Sequence, residues 1–218
     1  MTRSKRFLDL TILALAAPLL LPVLGVLIAL SWAFQGRPVF FAAERMRDPT
    51  HSFTLWKLRS MRHDPADQGV SGGDKSARIT PFGRLLRATR LDELPQMLNI
   101  LTGEISFVGP RPPLREYVER FPELYAAVLQ ARPGITGLAT LVFARHEEKL
   151  LARCTTAAET DALYARACIP RKARIDLIYG RNASVGLDLW LVFLTATRTI
   201  GIARGGTRLP RLRRKPAR

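Results

Sequence analysis

Cysteines and metal-binding patterns are scarce in this sequence. Its 218 residues include two cysteines, Cys154 and Cys168, which are too few for a disulfide framework and lack the paired spacing of a zinc site. The segment "ARHEEKLLA" lacks the H-E-x-x-H pattern of zinc proteases, and "SGGDKS" lacks the spacing of a Walker phosphate loop. The sequence also contains no helix-turn-helix, zinc-finger or RNA-binding signature. It therefore gives no support for a disulfide-stapled scaffold, a zinc enzyme or a sequence-specific nucleic-acid-binding module.

Acidic residues are also few relative to basic ones. Eighteen Asp and Glu stand against thirty-four Lys and Arg, which leaves a formal net charge of +16. Such an excess favours an anionic partner, namely nucleic acid, a phospholipid surface or a phosphorylated substrate, and charge alone does not choose among them. The length suits one domain with its own core and an N-terminal appendage.

The N-terminal appendage is a long apolar segment. No charged residue occurs from Leu10 to Phe34, a length sufficient for a membrane helix, and the run continues into a predicted strand without a signal-peptide cleavage site. Pro18 and Pro22 predict a kink near its middle. Basic residues flank both ends, so the positive-inside rule gives no crossing direction. Two alternatives remain open on the residues alone: a kinked spanning helix, or a helix that enters one leaflet and returns.

Two short strands are predicted after this segment. "RPVFFAAERM" and "SFTLWKLRSM" are rich in aromatic and β-branched residues and are expected to pair near the membrane. Alternation places Phe53, Leu55, Lys57 and Arg59 on one face of the second strand, so two cations point the same way. Residues 63–77 are polar and rich in glycine, which predicts a loop.

The next segment combines a basic helix with an acidic pair. "TPFGRLLRATR" predicts a helix capped by Thr80, with Arg87 on its surface. It is followed by "RLDELPQML", in which Asp92 and Glu93 precede Pro95. The proline predicts a new helix start, with the acids at its positive end and a buried face formed by Leu94, Met97, Leu98 and Leu101. Helix capping is an alternative role for the two acids.

Two proline-rich turns each present one arginine. "GEISFVGPRPP" predicts a strand ending in a turn that carries Arg111, and "RPGITGLATL" predicts a second turn that begins with Arg132. A stiff backbone is suited to directing a bidentate guanidinium at a phosphate. The intervening "REYVERFPELYAAVLQA", "ARHEEKLLA" and residues 170–180 and 186–200 predict helices, the last with an apolar stripe for the core or the membrane surface.

The cations are predicted to surround the acidic pair. This combination of basic residues and two carboxylates suits a polyanionic substrate together with a divalent cation such as Mg²⁺, which prefers carboxylate and phosphate oxygens. One acid can serve as a nucleophile, since carboxylates form acyl phosphates, while the other binds the metal. The candidate residues are Lys57, Arg59, Arg87, Asp92, Glu93, Arg111 and Arg132.

Several of these segments occur in the order found in a known family. "KRFLDL", the apolar segment with Pro22, "GRPVFF", "KLRSM", "TPFGRLLRATRLDELPQMLNIL", "GEISFVGPRP" and "RPGITGLA" closely resemble the bacterial sugar transferases. These are monotopic phosphoglycosyl transferases, which start glycan assembly on polyprenol phosphate. The resemblance runs from Lys5 to Ile200, and it is to the family's minimal form, without further membrane helices.

The resemblance implies a two-step transfer. Asp92 would attack the β-phosphate of a UDP-sugar, release UMP and carry the phosphosugar, and polyprenyl (undecaprenyl) phosphate would then accept it. Glu93 would bind Mg²⁺, and the substrate-binding residues would be Lys57, Arg59, Arg87 and Arg111. The pathway fed would be the synthesis of an exopolysaccharide, an O-antigen (lipopolysaccharide) or a glycoprotein.

The resemblance also implies the architecture and location. The expected fold is α/β (α+β): residues 1–36 form a re-entrant membrane helix hairpin and residues 37–200 a mostly helical cytosolic catalytic domain with short strands. Beyond the resemblance, the basic composition of residues 201–218, which is low in hydrophobic residues, predicts a disordered tail. The domain would lie on the cytoplasmic side of the bacterial inner membrane, in contact with phospholipid and without nucleic acid. Homo-oligomer formation is left open.

Two departures from the family pattern affect these expectations. The Ser-Pro break of the family anchor is Leu21-Pro22 here, and Thr140 stands where glutamine is usual, so neither the re-entrant angle nor the donor sugar follows from the resemblance. The alternative functions are a membrane-tethered basic protein that binds anionic lipid or nucleic acid without catalysis, and an inactive relative that acts as a scaffold.

Overall fold

The computed structural model describes residues 1–64, 70 and 72–199. This part of the chain is mostly helical with short strands, as predicted. Strands lie at β1 Phe40–Met46, β2 Ser52–Leu58, β3 Ser106–Val108 and β4 Gly134–Thr136. Helices lie at α1 Arg3–Gln35, α2 Pro81–Thr89, α3 Met97–Thr102, α4 Arg115–Arg120, α5 Pro122–Val128, α6 Leu138–Leu151, α7 Ala157–Leu163, α8 Ile169–Asn182 and α9 Val185–Thr199. Two 3₁₀ segments, Gly73–Arg78 and Leu91–Gln96, and a π-helical turn, Tyr164–Cys168, complete the described elements.

The first two strands form the predicted hairpin. They pair antiparallel, with Phe41 opposite Lys57 and Arg45 opposite Phe53. Directly opposed residues of an antiparallel pair share a face, so Lys57 and Arg45 lie on the same side of the hairpin. The second sheet is parallel: β3 pairs with β4, and α4 and α5 lie between these strands in the chain.

Glycine packing joins the two proline-rich turns. Gly109 donates its N–H to the Thr136 carbonyl at 2.8 Å, and Gly134 donates to the Pro110 carbonyl at 2.8 Å. A Cβ at Gly134 would lie 2.2 Å from the Gly109 nitrogen, so no larger residue fits without moving the backbone. The turn that carries Arg111 is therefore held rigidly against β4.

Helix α1 runs along the rest of the molecule. It is continuous through Pro18 and Pro22 and, at 1.5 Å per residue, about 50 Å long. Leu13 packs in a cluster with residues of β2 and α3, and Leu27 packs with Leu58 and Leu86. Most of its other apolar side chains face outward, and by length and composition the helix could cross a membrane.

The N-terminal end of α1 is fastened by charged residues of "KRFLDL". Lys5 forms an ion pair with Asp188 of α9 at 2.6 Å. Arg6 donates to the carbonyls of Ile100 and Leu101, which it caps at the end of α3. Buried Asp9 accepts hydrogen bonds from the Ser106 hydroxyl at 2.9 Å and the Phe107 N–H at 3.2 Å.

The C-terminal end of α1 contacts the same domain. Gln35 donates to the Arg59 carbonyl at 3.1 Å and accepts from the Thr80 hydroxyl at 2.7 Å. The Arg59 guanidinium in turn donates to the carbonyls of Gln35, Gly36 and Arg37, the last groups of the helix end. Both ends of the apolar helix are thus bonded to one folded unit.

The sequence prediction was wrong for the helix after the acidic pair. That helix begins at Met97, not at Pro95, and the preceding residues form the 3₁₀ segment. Met97 is buried as predicted, but Leu98 and Leu101 are more than half exposed. A repeat of apolar residues identifies an apolar face without saying what covers it.

Other predictions were partly confirmed. "REYVERFPELYAAVLQA" forms two helices, because Pro122 starts α5. In the stripe on α9, Leu187 and Leu194 are buried in the core, whereas Trp190 is exposed. Residues 65–69, 71 and the basic tail lie outside the described residues.

Candidate active site

The acidic pair is positioned by a short chain reversal. Helix α2 begins as predicted, with the Thr80 hydroxyl accepting the Gly83 N–H at 2.9 Å, and it ends at Arg90. Arg90 has φ of 57°, a left-handed conformation that costs a non-glycine residue about 1–2 kcal/mol. The Arg90 guanidinium forms an ion pair with Glu93 at 2.9 Å. The reversal turns Asp92 and Glu93 inward, where both are buried.

Three cations from three elements converge on Glu93. Its Oε1 accepts from Lys57 of β2 at 2.9 Å and from Arg111 of the GPRP turn at 3.3 Å, while its Oε2 accepts from Arg90 at 2.9 Å. Burial raises the pKa of Glu93, but Lys57, Arg111 and Arg90 together outweigh it and hold that pKa well below its usual range. Glu93 is therefore an anion that fixes the position of three positive side chains.

Asp92 is in a different state from its neighbour. Its carboxylate is buried, yet within the described part of the chain it makes no hydrogen bond or ion pair. Burial and the Glu93 charge raise its pKa, while Lys57, Arg87 and Arg111 oppose that rise. Neither acid accepts a backbone N–H in the 3₁₀ segment, which has no side-chain cap, so the capping alternative does not describe this pair.

The predicted cations do not all meet at this site. Lys57 and Arg111 bind Glu93, and exposed Arg87 acts on Asp92 through its charge. Arg59 lies one residue past the end of β2, and its guanidinium is bonded to the end of α1. Arg132 interacts with the charges of Arg47, Asp48 and Arg6.

Arg132 instead lines a separate cavity. This cavity of about 670 Å³ lies at the start of α1, where Lys5, Asp176 and Asp188 also line it. Two of the five cations are thus positioned away from the acidic pair, and their substrate-binding role stays a prediction. The turn predicted to carry Arg132 does form, but it places this arginine at the cavity beside the start of α1 and not at the acidic pair.

Sequence reasoning missed one member of the site. Arg90 was not among the candidates, although it stands three residues before Glu93, a spacing at which side chains in a helical turn meet. That spacing was the available signal.

The residues present do not form a resident Mg²⁺ site. Among the described residues no group of three or more His, Cys, Asp or Glu could hold a metal ion. The oxygens of Glu93 already accept from three cationic side chains, which disfavour a further positive ion. The Mg²⁺ ligand role of Glu93 therefore stays a prediction for the donor-bound state.

Neutralising Glu93 is expected to destabilise the fold. Glu93→Gln leaves the partly buried Lys57, Arg90 and Arg111 without a counter-charge, which should cost roughly 2–3 kcal/mol after discounting for their solvent exposure. Thermal unfolding in detergent micelles measures the loss. Glu44→Gln, which removes an exposed partner of Arg115, is the matched control and should leave the melting temperature unchanged.

The difference in stability between wild type and Glu93→Gln should depend on pH. Because the folded-state pKa of Glu93 is lowered, its contribution is complete above the unfolded value of about 4.3 and is lost as pH falls through the folded value. The stability gap between wild type and Glu93→Gln should therefore be constant near neutrality and close in acid. An equal effect of Glu44→Gln and Glu93→Gln at pH 7 would contradict the central role of Glu93.

Comparison with known proteins places the chain in a family. The model of the family described as bacterial sugar transferase matches residues 1–201. Among curated proteins, the UDP-glucose:undecaprenyl-phosphate glucose-1-phosphate transferase of Klebsiella pneumoniae is 34% identical over 195 residues, which are 88% of this chain and 39% of that protein. The UDP-N-acetylgalactosamine-undecaprenyl-phosphate N-acetylgalactosaminephosphotransferase of Aeromonas hydrophila is 32% identical over 202 residues, 90% of this chain and 43% of the relative.

A shorter relative matches over a larger share of its own length. The uncharacterized sugar transferase EpsL of Bacillus subtilis (strain 168) is 40% identical over 141 residues, 63% of this chain and 67% of that protein. The chain spans about two fifths of the length of the two longer relatives. On the family match, and in agreement with the ordered motifs of its sequence, the chain belongs to the bacterial sugar transferase family.

Proposed function

We propose that the chain is a phosphoglycosyl transferase that moves a sugar 1-phosphate from a UDP-sugar to polyprenyl phosphate. One observation carries the proposal: Asp92 is buried and unpartnered, while the adjacent Glu93 holds three cations beside it. A free carboxylate in a cationic site suits attack on a phosphate. The names of the relatives, which specify UDP-sugars and undecaprenyl phosphate, support the substrate classes.

In the first step, an Asp92 oxygen attacks the β-phosphorus of the UDP-sugar. A bond forms between that oxygen and phosphorus, and the bond from phosphorus to the bridging oxygen breaks. Its electron pair leaves with UMP, and an aspartyl phosphosugar results. Burial favours this role, since it raises the pKa of Asp92 and so makes the anion a stronger nucleophile. Lys57, Arg87 and Arg111 offset charge on the phosphate.

In the second step, a phosphate oxygen of polyprenyl phosphate attacks the same phosphorus. The bond to Asp92 breaks, the carboxylate is regenerated, and the product is a polyprenyl-diphosphate sugar. Both steps use the same cations because charge develops on the same phosphoryl oxygens. Mg²⁺ stays part of the proposal: if bound with the donor, it would offset charge on the diphosphate, and Glu93 is the residue expected to hold it.

The donor sugar is left unassigned in this proposal. The two named relatives differ in sugar, one being specific in name for glucose and the other for N-acetylgalactosamine. The pathway that receives the product is therefore any of those expected from the sequence: exopolysaccharide, O-antigen or glycoprotein assembly.

We also propose that α1 enters the inner membrane from the cytoplasmic side and returns to it. The support is that Lys5, Arg6 and Asp9 at one end and Gln35 at the other bond to the same domain. A helix that crossed the bilayer would place these ends on opposite sides, about 30 Å of hydrocarbon apart. Outward-facing Leu98, Leu101 and Trp190 give the domain further apolar surface for contact with phospholipid.

Asp92→Asn tests the catalytic proposal. The amide keeps the shape of the side chain but lacks the nucleophilic anion, so UMP release from a UDP-sugar with undecaprenyl phosphate should fall at least about 10³-fold. The assay screens a panel of UDP-sugars with wild type first. Glu123→Gln, which neutralises an exposed acid on α5, is the control and should keep wild-type turnover. Wild-type rates in Asp92→Asn would refute the nucleophile and leave the non-catalytic alternatives.

Cysteine labelling tests the return of α1. Cys154 and Cys168 are buried and are replaced by alanine to remove background labelling. Single cysteines are then introduced at exposed Thr2, before α1, and at exposed Glu123, on α5. A membrane-impermeant maleimide should label both in inverted inner-membrane vesicles and neither in intact spheroplasts. Labelling of the two positions from opposite sides would indicate a spanning helix.

A further inference from the structure

We infer that Arg45 binds the phosphate of the departing nucleotide, with Arg111 beside it. Neither the family motifs considered above nor the names of the relatives assign Arg45 a role. The inference deepens the proposed function and rests on it. It identifies a residue that contacts the α-phosphate of the donor, the phosphate that leaves with UMP.

The hairpin places Arg45 on the same face as Lys57, farther along the strand. Arg45 shares a face with Lys57, whose strand partner is Phe41, four residues before Arg45 on β1. At about 3.4 Å per residue, roughly 14 Å of strand separates the two positions. Lys57 lies at the acidic pair, so Arg45 lies farther along the strand, and its long side chain would extend towards the site to reach the second phosphate of the donor.

The turn that carries Arg111 is bonded to β1 next to Arg45. Met46, which follows Arg45, donates its N–H to the Pro113 carbonyl at 3.0 Å and so joins β1 to the GPRP turn. The Arg111 charge also contributes to lowering the pKa of Arg45, in agreement with this connection between β1 and the turn. A diphosphate that reaches from Asp92 past Arg111 therefore arrives at Arg45.

Arg45 has no anionic partner within the described chain. Its guanidinium donates only to the carbonyl of the adjacent Glu44, at 2.8 Å, although its side chain is partly buried. Burial and the Arg111 charge lower its pKa to about 10, and the Coulomb interactions with Glu116 and two tyrosines do not offset them. Arg111 already has Glu93 as its anion, whereas Arg45 forms no ion pair with the described residues, and a phosphate bound at Arg45 would supply that missing counter-charge.

Arg45 lies at the border between two hydrophobic clusters of the domain. Its aromatic neighbours, Tyr117 and Tyr164, belong to a core cluster whose described members include no residue of α1. Helix α1 packs instead on the clusters around Leu13 and Leu27. The hairpin face that carries Arg45 also carries Phe53, which packs with Leu13 of α1, so the location of Arg45 alone does not separate a nucleotide phosphate from a lipid phosphate, and the ligands compared below do.

Binding of UMP and of uridine to the same variants tests this inference. Isothermal calorimetry on the full chain in detergent compares wild type, Arg45→Gln, Arg45→Lys and the control Arg120→Gln, an exposed arginine paired with Asp161. Arg45→Gln should weaken UMP at least about tenfold and leave uridine within about twofold, since only UMP carries the phosphate. Arg45→Lys should lose less affinity for UMP than Arg45→Gln, because lysine keeps the positive charge but lacks the two parallel N–H donors of the guanidinium. Arg120→Gln should match wild type for both ligands.

Each other result overturns the inference. Wild-type affinity of Arg45→Gln for UMP would show that no contact exists, and equal loss of UMP and uridine would show that Arg45 only supports the structure. A short-chain polyprenyl phosphate serves as the third ligand, and a loss confined to it would assign Arg45 to the acceptor. Arg45→Lys, which retains the positive charge, keeps the test decisive if Arg45→Gln does not fold. UMP binding needs no turnover, so these results are separate from the activity of Asp92→Asn.

Discussion

The Glu93 carboxylate is the contact on which the rest of the site depends. It brings Lys57 of β2, Arg90 at the end of α2 and Arg111 of the GPRP turn to one point, and these belong to segments far apart in the chain. Without that anion, three positive side chains would repel one another in a partly buried space. Because Glu93 satisfies them, Asp92 next to it remains unpartnered and accessible to chemistry. Two adjacent acids thus differ in state because one of them holds the cations.

Rigid backbone supports this arrangement from two directions. The close approach of Gly109 and Gly134 locks the turn that carries Arg111, so its guanidinium does not have to be ordered at the moment of binding. On the other side, β2 connects the site to α1: Lys57 bonds to Glu93, and Arg59 two residues later bonds to the carbonyls at the helix end. The strand that positions a cation at the site is therefore the same strand that holds the apolar helix. In the proposed function, this link keeps the site at a constant depth relative to the membrane.

Local features were predictable from the sequence, and long-range ones were not. The hairpin and the capped start of α2 followed from alternation and from the Thr80-Pro81 pair, which act over a few residues. The positions of Arg59 and Arg132 did not follow, because alternation stops where a strand stops and a rigid turn does not reveal its direction. The exposure of Leu98 and Leu101 was missed since an apolar face has the same pattern beneath protein or lipid. Arg45 could have been found from its place on the hairpin face that carries Lys57, but only once the pairing register was known.

The division of labour between the two acids predicts a covalent intermediate, and peptide mass spectrometry tests it most directly. Purified protein is incubated with an accepted UDP-sugar in the absence of polyprenyl phosphate, quenched, and digested. UMP should appear in an amount no greater than that of the protein, and a sugar-phosphate adduct should be found on the peptide that contains Asp92, with none on Asp92→Asn. Adding polyprenyl phosphate before the quench should remove the adduct. UMP release that occurs only when the acceptor is present, without any adduct, would contradict a phosphosugar carried by Asp92 and indicate direct transfer instead.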